Sequence, residues 1–198
     1  LKYYNALVDT KKCVDCGLCT KVCPRENDND MSKPKWWYQG WADSEIREHA
    51  SSGGAASAII RAFIKHGGYV ASCLFDSGKF VFEVTNEMAV ARKFAGSKYV
   101  KSNPEKIYGK IQSLLKANQK VLFIGLPCQV AAVNQFIKDK TNLVTADLIC
   151  HGTPSPYLLK KCLQEYGHDI NTLTDINFRI KSLYELRRET YCSVSYYG

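Results

Sequence analysis

The sequence predicts an α/β fold, a mostly parallel or mixed sheet with packed helices, preceded by a short cysteine-rich segment. Three observations carry this. The runs VLFIG at 121–125 and LVTADLI at 143–149 have the continuous apolar character of strands buried on both faces. Each is followed by a proline-opened helical pattern, and the order strand, helix, strand, helix argues for parallel strands joined by crossovers. Ahead of them, four of the nine cysteines crowd into residues 13–23, in a polar stretch that needs a bound group as its core.

The elements follow in order. Residues 1–35 read as the cysteine-rich segment, closed by Pro24 and Pro34, and residues 36–198 as the α/β domain. WWYQGWA from Trp36 reads as an aromatic strand, with Trp36, Trp37 and Trp41 assigned to packing together with Met31 and Cys73. Residues 43–48 suit a short helix, and SSGG at 51–54 punctuates the chain. Residues 55–66 carry apolar side chains at helical spacing and stop at Gly67-Gly68. YVASCLF and FVFEVT flank Asp76, Ser77 and Gly78, a hairpin signal. Pro104 opens a helix with Ile107, Ile111, Leu114 and Leu115 on one face. Pro127 starts a helix to about Phe136, and Pro156 another to about Tyr166. Beyond Asp175, INFRI looks like a strand and the pattern then fades.

Composition narrows the function. With 198 residues, 45% of them hydrophobic and 23% charged, the chain has the balance of a water-soluble globular protein. No apolar run reaches the length of a membrane span and no secretion signal is visible. The crowded cysteines suit a metal better than disulfides, so a reducing, cytoplasmic setting is expected. The net charge of +8 is spread along the chain, with short clusters at Lys33 and Lys35 and at Arg187 and Arg188. No nucleic-acid motif accompanies it, and a solvated basic surface is the expectation.

The chemistry-bearing motif is Cys13-Val-Asp-Cys16-Gly-Leu-Cys19-Thr-Lys-Val-Cys23-Pro24, or C-x2-C-x2-C-x3-C-P. Bacterial ferredoxins use this spacing for a 4Fe-4S cluster. Gly17 lets the backbone curl close to the sulfides. A structural zinc site also takes four cysteines, but it usually draws them from two separated pairs. Because the fourth cysteine of such a motif serves the other cluster in two-cluster ferredoxins, three arrangements are open: Cys23 closes the local cluster, a cysteine elsewhere does, or a first motif lay upstream and is missing from this chain.

From Cys13 onward the order of motifs resembles the coenzyme F420 hydrogenase/dehydrogenase beta-subunit family. The resemblance rests on CVDCGLCTKVCP at Cys13, SSGGAASAI at Ser51, GSKYVKS at Gly96, GLPCQVAAV at Gly125 and DLICHGTPSP at Asp147. It implies a flavoprotein that passes electrons between iron–sulfur clusters and a deazaflavin or another two-electron partner. The implied FAD pocket comprises Ser51, Ser52, Gly53 and Gly54, then Gly96, Ser97, Lys98 and Tyr99, then Pro127, Cys128 and Gln129, with His151 as a candidate donor. Gly53 and Gly54 precede a helix whose amides suit a phosphate. Lys98, Tyr99 and Cys128 are the residues expected nearest the chemistry, with Lys98 supplying charge and Tyr99 stacking or hydrogen-bonding.

Cys128 and Cys150 each follow an apolar strand. In the family they look like half of a second cluster site completed by a downstream CxxC pair, which this sequence lacks, since Cys162 and Cys192 are isolated. The second cluster is therefore expected to be absent or incomplete, in a chain that looks shortened at its C-terminal side. The leading expectation is a flavin-dependent iron–sulfur oxidoreductase subunit working with a redox partner protein. The alternatives are an iron–sulfur adaptor of a larger complex that does no chemistry and, more remotely, a nucleic-acid protein with a structural cluster.

Overall fold

The computed structural model describes residues 7–26, 33–179 and the backbone of 193–196. Met31, Cys192, Arg187 and Arg188 lie outside the described residues. The centre is β3 (Val121–Gly125), all five residues of which are buried. It pairs in parallel with β1 (Tyr69–Asp76) on one side and β4 (Leu143–Asp147) on the other. β2 (Lys79–Thr85) adds antiparallel to β1, giving a mixed four-stranded sheet in the order β2-β1-β3-β4. The β1–β2 hairpin closes through Ser77 and Gly78, both at positive φ, with Asp76 opposite Lys79. That is the two-residue turn whose twist matches its strands.

The apolar run of β3 is explained by alternation. Val121 and Phe123 point to a layer holding Ile107 and Ile111 of α5 (Ile107–Lys116) and Val130 and Val133 of α6 (Pro127–Phe136). Leu122 and Ile124 point the other way, to Ile60 of α3 (Ala55–Lys65) and Ala91 of α4 (Met88–Ala91). A strand with helices on both faces has no polar side to show. A third cluster joins Phe75 and Phe80 to Leu163 of α7 (Pro156–Glu165) and to Leu173 and Ile176 of β5 (Leu173–Asn177). β5 pairs antiparallel with β6 (Ser193–Tyr196), a four-residue strand in the stretch where the sequence shows no pattern.

Two glycines are fixed by geometry. Gly54 stands at φ 80° before α3, and a Cβ there would sit 3.1 Å from the Ala42 Cβ and 3.2 Å from Ile46 of α2 (Ser44–Glu48). Gly68 follows α3 beneath the Phe63 ring, where a Cβ would overlap the ring carbons.

Two expectations need correction. The aromatic stretch from Trp36 forms no strand, and Trp36, Trp37, Tyr38 and Trp41 are 72–90% exposed rather than packed. Among the described residues it pairs with no strand, and a backbone bond from the Ala42 amide to the Gly53 carbonyl ties it to the fold. β4 is an edge strand and not one buried on both faces: it ends at Asp147, and Ile149 beyond it is 92% exposed. Among the described residues, no helix is long and apolar enough to cross a membrane.

The central strand carries a direct test. Phe123→Ala should cost about 3–5 kcal/mol, against less than half of that for Ile59→Ala on the half-exposed flank of α3. Urea unfolding of the two variants checks the ratio, and equal losses would mean that β3 is not the centre of the core.

Candidate functional site

The cysteine motif folds as a loop and one helical turn. The amides of Lys12 and Cys13 bond the Asp9 carbonyl, and the backbone then turns through Asp15 and Gly17 at φ 50° and 66°. Gly17 caps α1 (Leu18–Lys21), and the Cys23 amide donates to the Thr20 carbonyl at 3.1 Å. Cys13, Cys16 and Cys19 are exposed, Cys23 is half-buried, and none is in a disulfide. Among the described residues no three Cys, His, Asp or Glu side chains converge as they would on a single metal ion. A cubane asks instead for one thiolate at each of four separated iron corners, and four unbridged thiols on a curled loop are the right donor set for it.

A second feature is a cleft of about 870 Å³ at the end of β1, within the range of cofactor sites. Its walls bring together segments far apart in the chain. Ser51, buried, accepts a hydrogen bond from the Ser97 amide at 2.7 Å, tying the SSGG loop to the GSKY loop. Lys98 reaches back so that its ammonium donates to the carbonyls of Lys93 and Ala95. Burial holds its pKa down to about 8, against the opposing pull of Cys73 and Asp175. Burial likewise pushes the Cys73 thiol up to about 11, only partly offset by Lys98 and by a hydrogen bond with Ser102. Arg92, Lys93 and Arg179 also line the cleft, while Arg61 is occupied by Glu45 at 3.2 Å.

Of the residues expected to form one pocket, Ser51, Gly96, Ser97 and Lys98 line this cleft. Ser52, Gly53, Gly54 and Tyr99 adjoin it in sequence without lining it; Gly53 and Gly54 face residues 40–47 instead. Tyr99 stands edge-on to Phe178, with ring centres 5.9 Å apart. Pro127, Cys128 and Gln129 form the first turn of α6, away from the cleft lining. The Gln129 side chain is committed to the fold: its oxygen accepts from the Leu126 amide and its nitrogen donates to Ser102, both at 2.9 Å. Cys128 and Cys150 are exposed beyond the carboxyl ends of the paired strands β3 and β4, and His151 is exposed next to Cys150. Sequence reasoning missed Arg92, Lys93 and the wall at 174–179, which belong to no motif and reach the cleft only by folding.

The fold and the cysteine loop together define an α/β protein carrying a cysteine motif of the iron–sulfur type. Residues 6–26 match the model of a 4Fe-4S binding domain. Residues 118–195 match the model of the C terminus of the beta subunit in coenzyme F420 hydrogenase/dehydrogenase. Over residues 118–195 the chain is thus similar to the coenzyme F420 hydrogenase/dehydrogenase beta-subunit family. It is 27% identical over 141 residues to an uncharacterised protein of Methanocaldococcus jannaschii, covering 66% of this chain and 39% of that protein. The fold is similar to a chain of the xenon-derivatised F420-reducing NiFe hydrogenase complex from Methanosarcina barkeri. That likeness has a TM-score of 0.56 at 18% identity, over 78% of this chain and 58% of that one. The chain thus spans less than two thirds of either.

Two measurements test the site. Iodoacetamide at neutral pH should modify Cys128 and Cys150, which are exposed, and leave Cys73, whose thiol is held protonated until about pH 11. Peptide mass spectrometry reads this, and early labelling of Cys73 would contradict its burial. Lys98 binds fewer protons folded than unfolded between about pH 8 and its ordinary 10.5, so its contribution to stability rises with pH across that window. The stability of the native protein relative to Lys98→Met should therefore improve by about 1–2 kcal/mol from pH 8 to 10.5, allowing for solvent screening. A flat difference would mean an unshifted lysine.

Proposed function

We propose that this chain is a flavin-dependent iron–sulfur oxidoreductase subunit. In this reading FAD occupies the cleft, and electrons pass between a two-electron carrier of the deazaflavin kind and a 4Fe-4S cluster on Cys13, Cys16, Cys19 and Cys23. The observation that carries it is the Ser51–Ser97 hydrogen bond, which joins two motifs 46 residues apart into one cofactor-sized cleft. A flavin supplies the exchange between hydride and single-electron chemistry that neither carrier performs alone.

The chain's own residues then have distinct tasks. Arg92, Lys93 and Arg179 offer cationic walls to phosphate. Lys98, with its ammonium hydrogens directed to two carbonyls, stiffens the loop and keeps a charge beside the site that is present at neutral pH and lost above about pH 8. Tyr99 and Cys128 remain the candidates for contact with reacting groups from outside the lining. Pro127, Gln129 and His151 support the carboxyl edge of the sheet, where ligands of open parallel sheets bind. Residues 1–35 act as the ferredoxin-like segment and 36–198 as the flavin domain. The Methanosarcina relative is a chain of a hydrogenase complex, and a redox partner subunit is proposed here by that analogy.

Anaerobic purification with iron, sulfide and flavin analysis tests the reading. The expected result is about four iron and about one flavin per chain, with flavin retention reduced several-fold in Lys98→Met. Iron without flavin would shift the assignment to the non-catalytic adaptor, and zinc without iron would remove the cluster.

A further inference from the structure

Four residues of α1 are too few to hold a helix unaided, because nucleation costs more than one turn returns. The turn also ends on carbonyls that have no partner within it. Two of these, of Lys21 and Val22, directly precede the ligand candidate Cys23. Both accept from one group: the Gln135 side-chain amide, 3.2 Å from each in the orientation that sets its nitrogen against them. The reverse orientation would press a carbonyl oxygen onto two others, so the contact needs a donor at this position.

Gln135 is the penultimate residue of α6, the helix that begins with Pro127 and Cys128. α6 leaves the carboxyl end of β3 and returns the chain to β4, which runs parallel to β3, so it must travel back along the sheet. At 1.5 Å per residue, Gln135 stands about 10 Å along the axis from Cys128. The far end of that helix is therefore where the cysteine segment is held.

We infer that Gln135 is a positioning residue that clamps the cysteine segment to α6 and so sets where the cluster stands relative to the carboxyl edge of the sheet. The inference rests on the reading that Cys13, Cys16, Cys19 and Cys23 hold a cluster. One side chain on the α/β domain fixes the peptide dipoles that lead into Cys23. Electron transfer falls steeply with distance, and hydrogen-bonded backbone around a cluster tunes its potential, so the clamp bears on both.

The test uses the intact, cluster-bearing chain under anaerobic conditions, with Q135L, Q135E and Q135K. Leu removes the donor, Glu places an acceptor against two acceptors, and Lys restores donors beside a helix C-terminus where a cation is favoured. Amide hydrogen exchange in residues 18–26 should quicken about tenfold in Q135L and Q135E and stay near wild type in Q135K. Exchange in β3 should be unchanged in all three. The cluster midpoint potential, from an EPR-monitored titration, should shift in the first two variants and return in the third. Unchanged exchange and potential in Q135L and Q135E would overturn the inference, as would equal loss of protection in β3 or failure of Q135K to rescue. None of these readouts involves flavin, so an iron-bearing, flavin-free preparation would sink the flavin reading and leave the clamp still testable, whereas a preparation without iron would sink both.

Discussion

The burial of β3 on both faces is the constraint on which the rest of the molecule depends. A five-residue strand with Phe123 on one side and Leu122 and Ile124 on the other forces a helix layer onto each face. Once β1 and β4 pair with it in parallel, their carboxyl ends all open toward one edge of the sheet. The cleft at the end of β1 and the exposed thiols of Cys128 and Cys150 are consequences of that alignment. The helices that bury β3 also supply both the cleft's rim and the surface on which the cysteine segment rests.

A polar seam runs through this apolar frame. Lys98 at the cleft wall stands near Cys73 on β1, Cys73 meets Ser102, and Ser102 accepts from Gln129, whose oxygen caps the start of α6. Each link is buried or half-buried, and a polar group in such a place is costly unless it is partnered. The seam therefore ties the cleft wall to the first turn of α6 more firmly than packing alone would. Gln129, which motif reasoning assigned to the cofactor, takes part in this bracing.

Sequence pattern and structure agree best where a local rule has one solution. The helix over residues 107–116 follows from apolar spacing, and the hairpin at Ser77 and Gly78 from turn chemistry. They part where the outcome depends on neighbours. The tryptophans from Trp36 look like core by composition, yet among the described residues no strand pairs with that stretch and they stay exposed. LVTADLI has the composition of an inner strand and lies at the sheet edge, because hydrophobicity does not encode strand order. β6 was illegible because a four-residue strand gives too short a period to see.

By itself the sequence determined the cysteine spacing and the class of fold. Thiolate spacing is a covalent property of the chain, and the alternation of buried runs with proline-opened helices is local enough to read without coordinates. Only the tertiary structure decided which motifs meet. It brought Ser51 to Ser97, drew Arg92 and residues 174–179 into the same cleft, and left the first turn of α6 outside its lining. It also set Gln135 against the carbonyls before Cys23. The physical reason is range: a ligand motif is written over eleven residues, whereas a cleft wall or a docking contact depends on how sheet and helices cross, which no short window contains.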